Sequence, residues 1–373
     1  MRMSDKWVEL VGCSSERLPG NLVLEILWRV PATGLVHLKR VCRSWRTLIS
    51  SPEFAREHLK RSTAGLLASD ARIAYASQFS HLRRIGFLPL HSLFHNPSSP
   101  AAKVVSCYDI VGSCHGLLCL FDTVSKSRVM LWNPCTGFTS KWRQTSAPIM
   151  SCGFGYDHVN GKYKFLAVVK NEYGALVSKI FTFGVNHWNR ILGGSLIYSV
   201  TELKGLFVSG TFNWLVSRPR GSVILYLDLG RETYGELSLP ERDPDDNIRI
   251  IPVIGVLRNC LSVCFDHKKT HWAVWLRNNR SWTQFAMIPH HPQITNRFGV
   301  ASLRILYVSD DDVLLLEKGQ NAGLFLYYLN DGRIAFPMIH SFSDDFVGMP
   351  MSKQIGPTTL LVYYPSLLSP IHL

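Results

Sequence analysis

Over residues 103–368 the apolar side chains come in short runs cut off by Gly, Asn, Asp or Pro, and that punctuation leaves little choice of fold. Leu117–Phe121, Val129–Trp132, Phe165–Val169, Ile180–Phe183, Leu261–Phe265, Val313–Leu316 and Leu360–Tyr364 are strand-length runs with turn formers between them. Long helical stripes are absent, so this part of the chain reads as an all-β domain. It also repeats weakly. A strand, a polar turn, a second apolar strand and an aromatic recur from Gly116 to Pro134, Gly210 to Leu229, Leu261 to Trp282 and Val313 to Leu329. Short-strand repeats of roughly 40–50 residues imply a propeller, in which each blade buries its faces on its neighbours. The repeats are too degenerate to fix a blade count, and a β-sandwich is the alternative.

Ahead of this domain the period is helical. Leu22, Ile26 and Leu27, widened by Val23 and Val30, form a stripe over a helix predicted near Asn21 to Arg29. Pro31 ends it, because proline lacks the amide and clashes with the preceding turn. A second helical stretch is predicted from Leu35 to Ile49, with Leu38, Val41, Cys42, Trp45, Leu48 and Ile49 on one face. Glu53 to Leu59 adds a final turn or two. Fewer than ~40 residues cannot hold a substantial core of their own, so the apolar surface of this module is expected to be completed by a partner.

The Leu18-Pro19 start, the Val41-Cys42-Arg43-Ser44-Trp45 run and the residues Leu22, Glu25, Ile26, Leu27, Pro31, Leu35, Leu48, Ile49, Pro52 and Phe54 resemble an F-box. Val30 and Thr33-Gly34 depart from the usual pattern, and Gly34 weakens its helix by roughly 0.8–1 kcal/mol relative to Ala. The Gly112-Ser113-Cys114-His115-Gly116 run, Trp132-Asn133-Pro134, Gly153-Phe154-Gly155-Tyr156-Asp157, Leu227-Asp228-Leu229 and the closing Tyr363-Tyr364-Pro365-Ser366-Leu367 are similar to the plant F-box-associated, kelch-like region. The resemblance implies an α+β multidomain chain. It divides into a leader over 1–15, the F-box over 16–60, a linker or loosely structured approach over 61–102 and the β domain over 103–368. It implies a non-catalytic receptor subunit of a Skp–cullin–F-box ubiquitin ligase. Leu18, Pro19, Leu22, Ile26, Leu27, Pro31, Leu35, Val41, Cys42 and Trp45 would seat on a Skp-family adaptor, and through it on a cullin–RING ligase. The β domain would hold a target protein.

Composition agrees with a globular chain, at 46% hydrophobic and 18% charged residues. No apolar run approaches the ~18–20 residues of a membrane span, so no membrane partner is expected. Nine cysteines, an odd number without a framework, point to reduced thiols and to the cytoplasm or nucleus. The net charge of +13 favours an acidic partner. The basic residues are spread along the chain, however, which disfavours a nucleic-acid site.

The motifs that could carry chemistry have plainer readings. Gly112 to Gly116 fits a cysteine version of a nucleophile elbow with His115 beside Cys114, which leaves a propeller-type cysteine hydrolase as an alternative. An elbow needs a helix after the nucleophile, and a strand follows here. The other alternative is a basic nucleic-acid-binding protein. Gly153-Phe154-Gly155 lacks the third glycine and the helix of a dinucleotide loop. No cysteine pair has zinc spacing, and Asp243 to Asp246 and Asp310 to Asp312 lack the ladder of a calcium loop. His290-His291 reads as a proline-flanked loop. Trp188, Trp214, Trp272, Trp275 and Trp282 read mostly as core. No cofactor, metal or catalytic residue is expected.

Overall fold

The computed structural model describes residues 19–62, 71–79, 82–90, 93, 102–106, 108–185, 187–192, 203–218, 221–243, 251–278, 281–292, 303–318, 323–337 and 357–370. Four helices come first: α1 (Gly20–Arg29), α2 (Ala32–Leu38), α3 (Arg43–Ile49) and α4 (Pro52–Arg61). Pro19 and Pro31 sit at the starts of α1 and α2, where a missing amide costs nothing. Val30, extended before Pro31, closes α1. The predicted second helix is two helices, because Cys42 is extended and its sulfur accepts the amide of Trp45, which restarts the helix at Arg43. Ser51 caps α4 by accepting from the Phe54 amide, with Pro52 in its first turn. Gly34 lies in α2 against Val30, whose Cγ1 would be 3.0 Å from an added Cβ, so the two departures from the usual pattern are neighbours.

The remainder is a propeller of six four-stranded blades. Blade one takes β1 (Arg72–Phe79), β2 (Leu82–Pro89) and β3 (Ala102–Ser106). Blade two is β4 (Tyr108–Cys114), β5 (Leu117–Asp122), β6 (Arg128–Trp132) and β7 (Arg143–Gln144). Blade three is β8 (Ile149–Asp157), β9 (Lys162–Lys170), β10 (Leu176–Thr182) and β11 (His187–Ile191). Blade four is β12 (Leu206–Val208), β13 (Thr211–Arg218), β14 (Gly221–Asp228) and β15 (Thr233–Leu237). Blade five is β16 (Val253–Leu257), β17 (Cys260–His267), β18 (His271–Asn278) and β19 (Ser281–Pro289). Blade six is β20 (Leu303–Val308), β21 (Val313–Lys318), β22 (Gly323–Tyr328) and β23 (Ile334–Ala335). The last strand, β24 (Pro357–Tyr363), returns to blade one and pairs antiparallel with β1, placing Arg72 opposite Tyr363 and Tyr75 opposite Leu360.

The innermost strands β24, β4, β8, β12, β16 and β20 each contact the next, so the ring is closed. Each of the six interfaces between blades holds its own apolar cluster. Strands are therefore buried on both faces: Ile73 and Tyr75 pack towards blade six, whereas Ala74 and Ala76 pack towards blade two. Burial on two faces produces continuous apolar runs instead of alternation.

The segment 61–102, read from sequence as a linker or approach, carries β1 and β2 of blade one. Its apolar signal is weak because three of the buried side chains, Ala71, Ala74 and Ala76, are alanines, and because β1 takes one of its two partners, β24, from far along the chain.

Candidate functional site

In the helical module, Val23, Leu24, Leu27, Ala32, Leu35, Leu48, Ile49, Phe54 and Ala55 close a small core. Buried His58 on α4 donates from Nε2 to the Val30 carbonyl at 2.9 Å, tying α4 to the corner between α1 and α2. Arg61 lies over the Trp28 ring at 3.8 Å and pairs with Glu25 and Glu57, joining α4 to α1 on the surface.

Nine of the ten residues singled out as adaptor-binding are described, and they divide among three environments. Leu27 and Leu35 are fully buried in the module's own core. Pro31, Cys42 and Trp45 are half-buried. Pro19 is exposed, and Leu22 at 46%, Ile26 at 47% and Val41 at 60% present apolar surface to solvent. Leu22 and Ile26 are one turn apart and share a face of α1. Val41 sits between α2 and α3, beside the exposed Arg40, Arg43 and Arg46. Leu18 lies outside the described residues. Sequence periodicity alone could not divide this set, because a stripe facing its own core and one facing a partner have the same spacing.

The module's core is not completed by its own helices. Leu367 is buried in it, and Leu368 and Cys135 pack against it. Burial lowers the Lys39 ammonium from its ordinary range, and the nearby Cys135 thiol opposes that shift. The helices therefore rest on the loop after β6 and the tail beyond β24, and the β4–β5 turn holds that tail in place. No pattern of spacing pointed to this role for Leu367; its signal was its place in the closing Tyr363-Tyr364-Pro365-Ser366-Leu367 run.

The Cys114–His115 pair stands at the β4–β5 turn and is not arranged for nucleophilic attack. The Cys114 thiol is buried, which raises its pKa far above the ordinary thiol range and keeps it neutral. His115 sits at φ 51° and its Nδ1 shares a hydrogen bond with the Tyr163 hydroxyl at 3.0 Å. Burial, then the neighbouring His158, push the imidazole down to about 4, so it is neutral at physiological pH. Tyr156, His158 and Tyr163 pack edge-on around it. Gly153 and Gly155 lie within β8, where an added Cβ would be 3.0 Å from the Phe212 ring and would overlap the Phe207 ring of blade four. These glycines admit the neighbouring blade, not a phosphate.

The polar groups inside the propeller join blades. Asp109 of β4 pairs with Lys204 at 2.9 Å, and Thr359 of β24 accepts from Lys204 at 2.6 Å and donates to Asp109 at 2.9 Å. This cluster lies at the end of the ring away from the helices, since β4 and β24 run from it towards His115 and Ser366. Between blades three and four, Lys164 is buried against Asp157 at 2.9 Å, Glu232 at 2.7 Å and the Leu229 carbonyl at 2.6 Å. Trp214 and Trp272 are core, whereas Trp188, Trp275 and Trp282 are half-buried. His290 packs at a tilt against Trp272, with ring centroids 4.4 Å apart, and meets Asp266 at 3.0 Å. Asp243 pairs with Lys268, and Asp245 and Asp246 lie outside the described residues. Among the described residues no group of three His, Cys, Asp or Glu side chains gathers to hold a metal ion. Nor is any helix among them long and apolar enough to cross a membrane.

Comparison with known proteins bears on the same two parts. A family model described as F-box associated beta propeller domain matches residues 87–370, and one for the F-box domain matches residues 15–57. F-box/kelch-repeat protein At3g23880 of Arabidopsis thaliana is 27% identical over 350 residues, covering 88% of this chain and 93% of that protein. Putative F-box/kelch-repeat protein At3g17570 of the same plant is 29% identical over 297 residues, covering 73% of this chain and 76% of that protein.

Proposed function

Because the chain belongs to the family of F-box proteins with an F-box-associated β-propeller, we propose that it is the substrate-recognition subunit of a Skp–cullin–F-box ubiquitin ligase. The observation that carries this reading is the exposed apolar set on the F-box helices. Leu22, Ile26 and Val41 stay in solvent while the other apolar side chains of the module close a core. A single exposed leucine means little. Three such residues at F-box positions, beside the basic Arg40, Arg43 and Arg46, suit a Skp-family adaptor with an apolar groove and an acidic rim. Leu18 and Pro19 extend the contact along the start of α1. Leu27 and Leu35 act behind it by holding α1 and α2 in place, and Pro31, Cys42 and Trp45 shape the corners.

The propeller holds the target, and the net charge of +13 favours an acidic one. Catalysis in this reading is proximity: a ligase recruited through the adaptor and its cullin–RING partners reaches a lysine held within range. In this reading the chain need supply no nucleophile, and the neutral Cys114 and His115 are in keeping with that. Such a receptor works in the cytoplasm or nucleus, where its thiols stay reduced.

The test is co-purification with a plant Skp-family adaptor. The paired substitution Leu22→Asp and Ile26→Asp is expected to abolish binding while the β-rich circular dichroism spectrum stays unchanged. Undiminished binding by the paired variant overturns the assignment of this face.

A further inference from the structure

Beyond Tyr363 the chain crosses from the ring to the helices. Leu367 plugs the F-box core. The backbone around it is held from the propeller side, where Asn133 donates from Nδ2 to the Ser366 carbonyl at 2.9 Å and to the Leu368 carbonyl at 2.7 Å. Its Oδ1 accepts from the amides of Cys135 at 2.8 Å and Thr136 at 3.3 Å, so the fully buried side chain is locked in orientation. The Ser366 hydroxyl donates to the His115 carbonyl at 2.8 Å. Gly116, at φ 75°, leaves the tail its room, since a Cβ there would overlap Ser366 Oγ and lie 2.7 Å from the Tyr364 carbonyl. The two turns that carry the family resemblance in blade two thus form one seat, and the tail is what occupies it.

We infer that residues 364–368 are a strut that fixes where the propeller stands relative to the F-box, with Asn133 as its positioning residue. Two domains joined by one connection are expected to move against each other unless their interface is large. Here the chain crosses between them twice, once before β1 and once after β24, and the second crossing ends in a buried leucine. The functional weight of the strut rests on the ligase reading, because posture matters to ubiquitin transfer only if the helices are seated on an adaptor. A target lysine must then be presented at a set distance and direction.

The experiment uses the full chain with donor and acceptor dyes at Lys60, exposed on α4 and outside the proposed adaptor face, and at Tyr173 in the β9–β10 turn. The dyes are attached through non-natural amino acids, since nine cysteines rule out thiol labelling. Asn133→Asp is the informative variant. It keeps an oxygen for the Cys135 and Thr136 amides and replaces the donor to the tail with a second acceptor. The wild type is expected to give one narrow distance band. Asn133→Asp is expected to broaden it towards the band of a chain ending at Pro365, which keeps β24 whole. A narrow band in Asn133→Asp overturns the inference, whether or not the shortened chain broadens. Adaptor binding is measured on the same proteins. Loss of the narrow band with adaptor affinity retained separates posture from docking. If the wild type fails to bind adaptor, the ligase reading falls while the distance result stands.

Discussion

Replacing Lys164 with methionine tests whether the blades are held by their apolar clusters alone. The ammonium is buried with partners at 2.9 Å (Asp157), 2.7 Å (Glu232) and 2.6 Å (the Leu229 carbonyl). Removing one partner of a buried ion pair costs about 3–5 kcal/mol, because the other charge is left behind. Asp157 keeps the Asn160 side chain at 2.7 Å and the amides of Val159 at 2.9 Å and Asn160 at 3.1 Å, which places the loss at the lower end of that range. At about 2–4 °C per kcal/mol in a domain of this size class, a loss of about 3 kcal/mol means that Lys164→Met is expected to lower the melting temperature by roughly 6–12 °C. Acid should narrow the gap. Burial disfavours the Asp157 charge, but the Asn160 and Lys164 hydrogen bonds outweigh it and hold the carboxyl below its ordinary range. A depressed carboxyl stabilises the fold above its unfolded pKa, about 3.9, and loses that contribution as pH falls through the folded value. Lys164 is disfavoured by burial but raised overall by Glu232 and Asp157. Its contribution is present below about 10.4 and is lost as pH rises through the folded value. The wild-type advantage is therefore expected to be level between about pH 5 and 9 and to shrink in stronger acid or base. Adding Asp157→Asn should recover part of the loss, since the orphaned charge is then gone. A Lys164→Met melting temperature equal to wild type, or a gap that widens in acid, would refute the reasoning.

Within the F-box, Leu27→Ala is expected to cost about 2–5 kcal/mol of stability, whereas Leu22→Ala changes adaptor affinity and leaves the unfolding midpoint in place. Denaturant unfolding beside a binding titration separates the two. His58→Leu strands the Val30 carbonyl and is expected to destabilise the module by about 1–3 kcal/mol, read as earlier protease cleavage between α1 and α4. Gly155→Ala drives a methyl into the Phe207 ring and is expected to cost about 1–3 kcal/mol by overpacking; an unchanged urea midpoint would contradict the packing described for β8.

The four repeats visible in the sequence are the second and third strands of blades two, four, five and six, where a hairpin of apolar runs lies within one local stretch. Blade one was hidden for a physical reason. Its innermost strand is residues 357–363 and its others come from 72–106, so no window of sequence contains the blade. Its strands also carry Ala74, Ala76 and Gly86, which fits against Tyr75 and adds no apolar signal of its own. The break at Cys42 escaped because the apolar stripe runs on through it in phase and cysteine is not among the usual capping residues. At the site, the F-box residues were legible as a set. Which of them face inward was not, because the buried Leu27 and the exposed Leu22 and Ile26 belong to one stripe that only the packed helices divide.

The place of β24 in the chain has a consequence for biogenesis. The F-box helices leave the ribosome before the propeller does, yet the ring cannot shut, nor can Leu367 reach the helical core, until β24 and the residues just after it have been made. The closed ring and the finished helical core therefore mature together, once residues 357–368 have been made. A message cut short before residue 357 yields helices with an unfilled core beside an open ring, a product for cellular quality control.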